Sequence, residues 1–246
     1  MTLSIIIPAF NEEKELPRCL QSVDAAVASV QQDVGSEPTF DVEVIVADNN
    51  STDATAEVAK AAGASVVFEK LNQISRARNA GANIATGDWF LFIDADSQLH
   101  ADTLRELLKV IETGLYVGGG SVVRIDHASL GVRLTEWLWN TFAPILKWAA
   151  GSFVFCRADV FRDLGGFSLD LYASEEIDFS RRLKKYAKTL DLKTIILKSH
   201  PHVSSGRKME LYSPTELAKH LFRCLWSPRK TLRDRSRLDF FYDGRR

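Results

Sequence analysis

Leu3-Ser4-Ile5-Ile6-Ile7-Pro8 is a short, continuous apolar run rich in β-branched side chains. That is how a strand buried on both faces reads. Val42-Glu43-Val44-Ile45-Val46-Ala47 repeats the pattern, and so does Trp89-Phe90-Leu91-Phe92-Ile93. A further short strand is expected at residues 64–68. Between these runs the pattern turns helical, over residues 12–30, 51–62, 74–85 and 101–112. Gly63 and Thr86-Gly87 mark two of the helix ends, and residues 31–41, with Gly35 and Pro38, form a polar connector.

Strand and helix therefore alternate to about residue 113, which implies an α/β fold: a mainly parallel central sheet flanked by helices, with right-handed crossovers. In such sheets ligands bind beyond the carboxyl ends of the strands. Three polar clusters fall there: Pro8-Ala9-Phe10-Asn11, Asp48-Asn49-Asn50 and Asp94-Ala95-Asp96. The second half is less regular. Strands are expected at 116–125, 152–157 and 194–197, a turn at Gly165-Gly166-Phe167, and a helix over 174–190 with an acidic start and a basic end, the order its dipole favours. The expected organisation is a unit over 1–198, split into a ligand-binding half (1–113) and a smaller partner-side half (114–198), then a basic loop-and-helix tail over 199–246. From residue 219 onward the tail has nine Lys/Arg against three Asp/Glu.

Composition sets the outer bounds. The chain has 246 residues, 46% hydrophobic and 26% charged, which fits a globular protein and excludes fibrous or disordered architectures. The balance of 31 basic against 32 acidic residues argues against a general nucleic-acid binder. Cys19, Cys156 and Cys224 are too few and too scattered for a disulfide framework or a zinc cluster, and point to a reducing compartment. No apolar run approaches the roughly 18 residues of a membrane span, and the N-terminus has no signal-peptide pattern. The expected location is cytoplasmic, with contact at the inner membrane face as an added option.

Each motif has two readings. Asp94 and Asp96 sit at the mouth of a buried strand, where hard divalent cations take carboxylate oxygens alongside substrate phosphates; alternatively Asp94 caps a turn and Asp96 the next helix. Asp48 would accept hydrogen bonds from a base or ribose, or build an Asx turn. Arg76 and Arg78 would fork onto phosphate, or line a solvated helix face. Glu175-Glu176-Ile177-Asp178 holds a general base whose pKa is raised by its acidic neighbours, or simply complements a helix dipole.

These residues resemble the family-2 glycosyltransferases with the GT-A fold. Residues 4–13 (SIIIPAFNEE) are similar to that family's opening segment, Ala47–Asp53 (ADNNSTD) to its "VDDGSTD" turn, and Ala77-Arg78-Asn79-Ala80-Gly81 to "ARNxG". Phe92-Ile93-Asp94-Ala95-Asp96 is similar to its DxD signature, and Gly165-Gly166-Phe167 with the acidic run at 175–178 to "GGF … EDxDL". The five come in family order over residues 3 to about 190.

The resemblance implies transfer of a sugar from a nucleoside diphosphate sugar, usually UDP-linked, to an acceptor hydroxyl or phosphate with inversion. Pro8, Ala9, Asn11 and Glu12 would line the nucleotide pocket, Asp48 would contact the base, and Arg78 and Asp94 would approach the nucleotide. Asp96, with Asp94, would hold Mn²⁺ or Mg²⁺, and Glu176 would be the catalytic base. Glu175, Gly151, Ser152, Phe153, Gly165, Gly166 and Phe167 would shape the acceptor side, for a saccharide, a small molecule or a lipid-linked carrier. Asn49 and Asn50 depart from the family turn, and Glu176 stands where Asp is usual. Downstream, His200 or His202 would add a third metal ligand. His200, Arg207 and Lys208 would form a lid over the diphosphate, or an ordinary surface loop. The tryptophan-rich stretch 134–150 would be a core helix or an interfacial one. The competing function is a nucleotide-binding module of the same fold without catalysis.

Overall fold

A computed structural model describes residues 1–33, 40–126, 130–149, 152–206, 232–234 and 238. The first half alternates as its sequence pattern demands: β1 (Thr2–Ala9), α1 (Leu16–Asp33), β2 (Asp41–Asp48), α2 (Thr55–Ala61), β3 (Ser65–Phe68), α3 (Ile74–Ile84) and β4 (Trp89–Ile93). After it come β5 (Ser97–Gln98), α4 (Ala101–Glu112), β6 (Tyr116–Asp126), α5 (Leu130–Leu146), β7 (Phe153–Arg157), α6 (Ala158–Asp163), α7 (Glu175–Thr189) and β8 (Lys193–Ser205).

The strands form one sheet in the order β3-β2-β1-β4-β7-β6-β8-β5. The four strands of the first half run parallel. β7 is antiparallel to both β4 and β6, and β8 runs parallel to β6. Because side chains alternate across a strand, β1 feeds two cores. Leu3, Ile5 and Ile7 pack with Leu16, Leu20 and Val23 of α1 and Leu104 and Leu107 of α4. Ile6 faces the opposite side, with Ala82 of α3, Phe161 of α6 and Phe179 of α7. Phe92 of β4 meets Phe167 edge-on at 5.0 Å between centroids, and Phe167 packs on Phe179 at 4.9 Å. Contacts of this kind add about 0.5–1.5 kcal/mol each beyond area burial. Here they fix the 165–167 turn against the sheet. Pro8 sits past the last β1–β4 pair, Ile6 with Phe92, so its missing N–H costs that ladder nothing.

Several elements differ from the sequence reading. Helix α1 begins at Leu16 rather than residue 12, with the Glu12 carbonyl accepting from the Leu16 N–H. The short β5 and α6 carry no periodicity long enough to read. The largest difference is β8, which runs to Ser205 and so crosses the expected boundary at 198. Its pairing with β6 jumps from Ser121 with Leu197 to Val123 with His202. The residues between bulge outward, and Glu106 of α4 accepts hydrogen bonds from the amides of Lys198, Ser199 and His200. A bulge is where a strand tolerates Pro201, which has no N–H to donate.

Candidate active site

The loop after β1 and the turn after β2 are laced into one surface. Asn49 N–H donates to the Ala9 carbonyl (2.8 Å), Asn11 N–H to Ser51 Oγ (3.0 Å), and Thr52 N–H to Asn11 Oδ1 (2.8 Å). Glu12 N–H donates to Thr55 Oγ1 (2.8 Å), which leaves Glu12 buried at this edge beside the buried Pro8 and Ala9. Asp48 is also buried, and its Oδ1 accepts from the Ser51 N–H at 3.0 Å, so the Asx turn does form. Asn50 occupies the left-handed region (φ 67°), where glycine and asparagine are the tolerated residues. Asn49 Nδ2 donates to the Leu71 carbonyl at 2.7 Å, a bond that an aspartate at this position has no hydrogen to make. Both departures from the family turn therefore have local structural causes.

The centre of the site is Arg78 on α3. It was expected to fork onto phosphate or face solvent. Instead it is 1% exposed, with Nη1 donating to Glu175 Oε1 at 2.6 Å and Nη2 to Asp94 Oδ1 at 3.0 Å. Its guanidinium also lies 5.3 Å from the Phe167 ring centroid. One side chain thus joins the end of β4 to the start of α7. Burial works against the Arg78 charge, but Asp94, Glu175 and Glu176 outweigh it and hold its pKa above the ordinary value. Arg76 has a local partner, its Nε donating to Gln73 Oε1.

The 165–167 turn is clamped to α3. Asn79 accepts from Phe167 N–H and donates to the Phe167 carbonyl, both at 2.9 Å. Gly165 and Gly166 both have φ 71°, and a Cβ on Gly166 would come within 2.6 Å of Asn79 Oδ1. Gln73 Nε2 donates to the carbonyls of Leu169 and Leu171, and Arg182 donates to those of Leu164 and Gly166. The bonds of Gln73, Asn79 and Arg182 were not legible in sequence, because each joins segments that only the fold brings together. From the tail, the Leu232 carbonyl accepts from Tyr172 N–H at 2.8 Å, beside this turn.

Helix α7 opens from Ser174 in the left-handed region (φ 62°). Glu175 points inward at 3% exposure, while Glu176 is half-buried beside it and hydrogen-bonded to it. Burial and the neighbouring Glu176 carboxyl raise the Glu175 pKa, against the pull of Arg78. Ser152 is buried near the start of β7; Gly151, Arg207 and Lys208 lie outside the described residues.

The histidines separate. His200 is exposed on the β8 bulge, its N–H donating to Glu106 and its ring Nδ1 3.3 Å from the same carboxylate. His202 is fully buried, with its ring 5.1 Å from that of Phe153, and neither ring nitrogen has a hydrogen-bond partner. Burial lowers its pKa to about 3, with Asp94 pulling the other way. The bulge explains the split, since it breaks the alternation that would otherwise put both on one face. Burial, with the Asp96, Asp94 and Glu12 charges nearby, pushes the pKa of the Cys19 thiol up. Among the described residues no cluster of three or more His, Cys, Asp or Glu is arranged to hold a metal ion.

A sheet of this order, with carboxylates and loop amides gathered beyond its parallel strands, belongs to an α/β fold of the kind that takes ligands at that edge. The sequence model described as "Glycosyl transferase family 2" matches residues 4–163, and the chain belongs to that family. It is 26% identical over 214 residues to the glycosyltransferase AglE of Haloferax volcanii, covering 81% of this chain and 66% of AglE. The chain thus spans just under two thirds of that relative's length. The fold resembles the mannosyltransferase PcManGT from Pyrobaculum calidifontis, solved with GDP-Man and Mn²⁺ (TM-score 0.65, 19% identity, 94% of this chain and 62% of that one). It also resembles glucosyl-3-phosphoglycerate synthase from Mycobacterium tuberculosis, solved with Mn²⁺, UDP and glucosyl-3-phosphoglycerate (TM-score 0.62, 21% identity, 95% and 81%). The fold is of the GT-A type.

Proposed function

We propose that this chain transfers a sugar from a nucleoside diphosphate sugar, UDP-linked, to an acceptor hydroxyl or phosphate with inversion at the anomeric carbon. The observation that carries this reading is the Arg78 bridge. A single buried guanidinium ties the carboxylate after β4 to the carboxylate that opens α7. It fixes the diphosphate side relative to the acceptor side, as an in-line displacement requires. On this reading the 8–12 loop and Asp48 hold the nucleoside, and Arg78 is a positioning residue that orients Asp94. Glu176 accepts the proton of the acceptor hydroxyl. The acceptor oxygen bonds to the anomeric carbon as the bond to the diphosphate breaks, and the electron pair leaves on the nucleoside diphosphate. Glu175, tied to Arg78 and hydrogen-bonded to Glu176, keeps Glu176 turned toward the acceptor.

Asp94 and Asp96 would hold a divalent cation, Mn²⁺ or Mg²⁺. Support comes from the two carboxylates at the end of β4, whose hard oxygens leave remaining positions for diphosphate oxygens. When bound, such a cation offsets the charge that builds on the departing diphosphate.

The test is nucleoside diphosphate release from a panel of UDP- and GDP-sugars, with and without Mn²⁺ or Mg²⁺, for wild type, Asp96→Ala and Glu176→Gln. Metal-dependent release that both substitutions abolish is the expected result. Release undiminished by either would refute the residue roles, and a product of retained configuration by NMR would refute inversion. Nucleotide binding without turnover would select the non-catalytic module instead.

A further inference from the structure

Helix α5 is amphipathic in the wrong sense for a helix that covers a core. Leu134, Trp137, Leu138, Phe142 and Ile145 follow the i, i+3, i+4, i+8, i+11 spacing of one helix face. All are exposed, Leu134 by 59%, Trp137 by 62%, Phe142 by 54% and Ile145 by 70%. Thr141 shares this face, and its hydroxyl donates back to the Trp137 carbonyl at 2.8 Å. The inward face carries Trp139, whose Nε1 is buried, together with polar and small residues. Asn140 both donates to the Val123 carbonyl and accepts from its N–H, Glu136 accepts from Ile125 N–H, and Ala143 is buried. The sole carboxylate of α5 is thus turned onto β6, away from the apolar face.

Among the described residues, cationic side chains stand at one end of that face. At the helix's C-terminal end stand Lys147, Lys184, whose Nζ lies 3.3 Å from the Leu146 carbonyl, and Arg181, stacked 4.7 Å from the Trp148 ring centroid. A second copy meeting this face in a two-fold arrangement would set like charges against one another. Anionic lipid headgroups would neutralise them. No helix among the described residues is long and apolar enough to cross a membrane, so an apolar face of this kind would lie along the surface with its Trp at headgroup depth.

We propose that α5 docks this protein onto a membrane surface bearing anionic lipid, setting Leu134, Trp137, Leu138, Phe142 and Ile145 at the headgroup–acyl boundary. The docking is independent of the sugar-transfer reading. The test is flotation of the full chain with phosphatidylcholine vesicles that contain or lack phosphatidylglycerol. Co-flotation is expected only with the anionic vesicles and weakens as salt rises. Trp137→Glu with Ile145→Glu should reduce it by about tenfold or more. Trp137→Ser with Phe142→Ser is a milder pair should the charged variant misfold. Both pairs are checked for unchanged circular dichroism and an unchanged nucleoside diphosphate thermal shift, which keeps a failure of docking separate from a failure of the site. In wild type, brominated acyl chains should quench tryptophan emission. Wild type that stays unbound, variants that float as well as wild type, or a dimer that Ile145→Glu dissociates without any vesicle binding would each overturn the proposal.

Discussion

Replacing Arg78 with Met keeps most of the side-chain volume and removes the cation that bridges Asp94 and Glu175. Glu175, 3% exposed, would be left buried without its counter-charge. Breaking a buried pair by removing one partner costs about 3–5 kcal/mol. At about 2–4 °C per kcal/mol for a chain of this size, the melting temperature should fall by roughly 6–20 °C. Part of the loss is recoverable, because Glu175 can take up a proton. Its folded pKa already stands above the ordinary 4.5, and loss of Arg78 raises it further. A raised carboxyl pKa stabilises fully below 4.5 and loses that contribution as pH rises through the folded value. The deficit of Arg78→Met should therefore be smallest in mild acid and grow toward neutral pH. Arg78→Met with Glu175→Gln removes the stranded charge and should restore most of the stability, to within about 1–2 kcal/mol of wild type. It should not restore activity, because Asp94 has lost its orienting bond. A loss of about a hundredfold in kcat relative to Glu175→Gln alone is expected. Chemical denaturation across pH, paired with nucleoside diphosphate release, measures both quantities. A double variant as unstable as Arg78→Met, or one that regains full turnover, would refute the bridge as the link between the two halves of the site.

Glu176→Gln should lower kcat by about 10²–10⁴-fold while leaving donor KM nearly unchanged; steady-state kinetics over donor concentration checks this. His202→Phe removes two unpartnered buried nitrogens, so the metal-free protein should melt no lower than wild type, because an unsatisfied buried polar group costs about 1–3 kcal/mol. Thermal melts of the two proteins check this. Asn50→Ala should cost about 1–2 kcal/mol at its φ of 67°, whereas Asn50→Gly should be close to neutral by denaturant titration.

The strands that build the site were legible from their apolar runs, because β1, β4 and the second half of β2 are buried on both faces and leave no alternation to misread. Their polar ends, at Asp48 and at Asp94 with Asp96, were legible as well, since a carboxylate directly after such a run has few places to go. The order of motifs along the chain pointed to the family that the comparisons then established. What the residues alone left open were the partners of each charge. Arg78 reads equally well as a phosphate contact, a solvated side chain or a buried bridge, and only the meeting of α3 with β4 and α7 decides among them. Glu175 and Glu176 are adjacent in sequence and alike in chemistry; the helix rotation that turns one to Arg78 and leaves the other half-buried is a tertiary fact. His200 and His202 part company because Glu106 captures a bulge that has no local signal. The side of α5 that faces out was likewise unreadable, since an apolar stripe has the same spacing whether it covers a core or leaves the protein. Local pattern specifies which strands and helices form, but charge pairing and facing depend on contacts between residues up to about a hundred positions apart, such as Arg78 with Glu175.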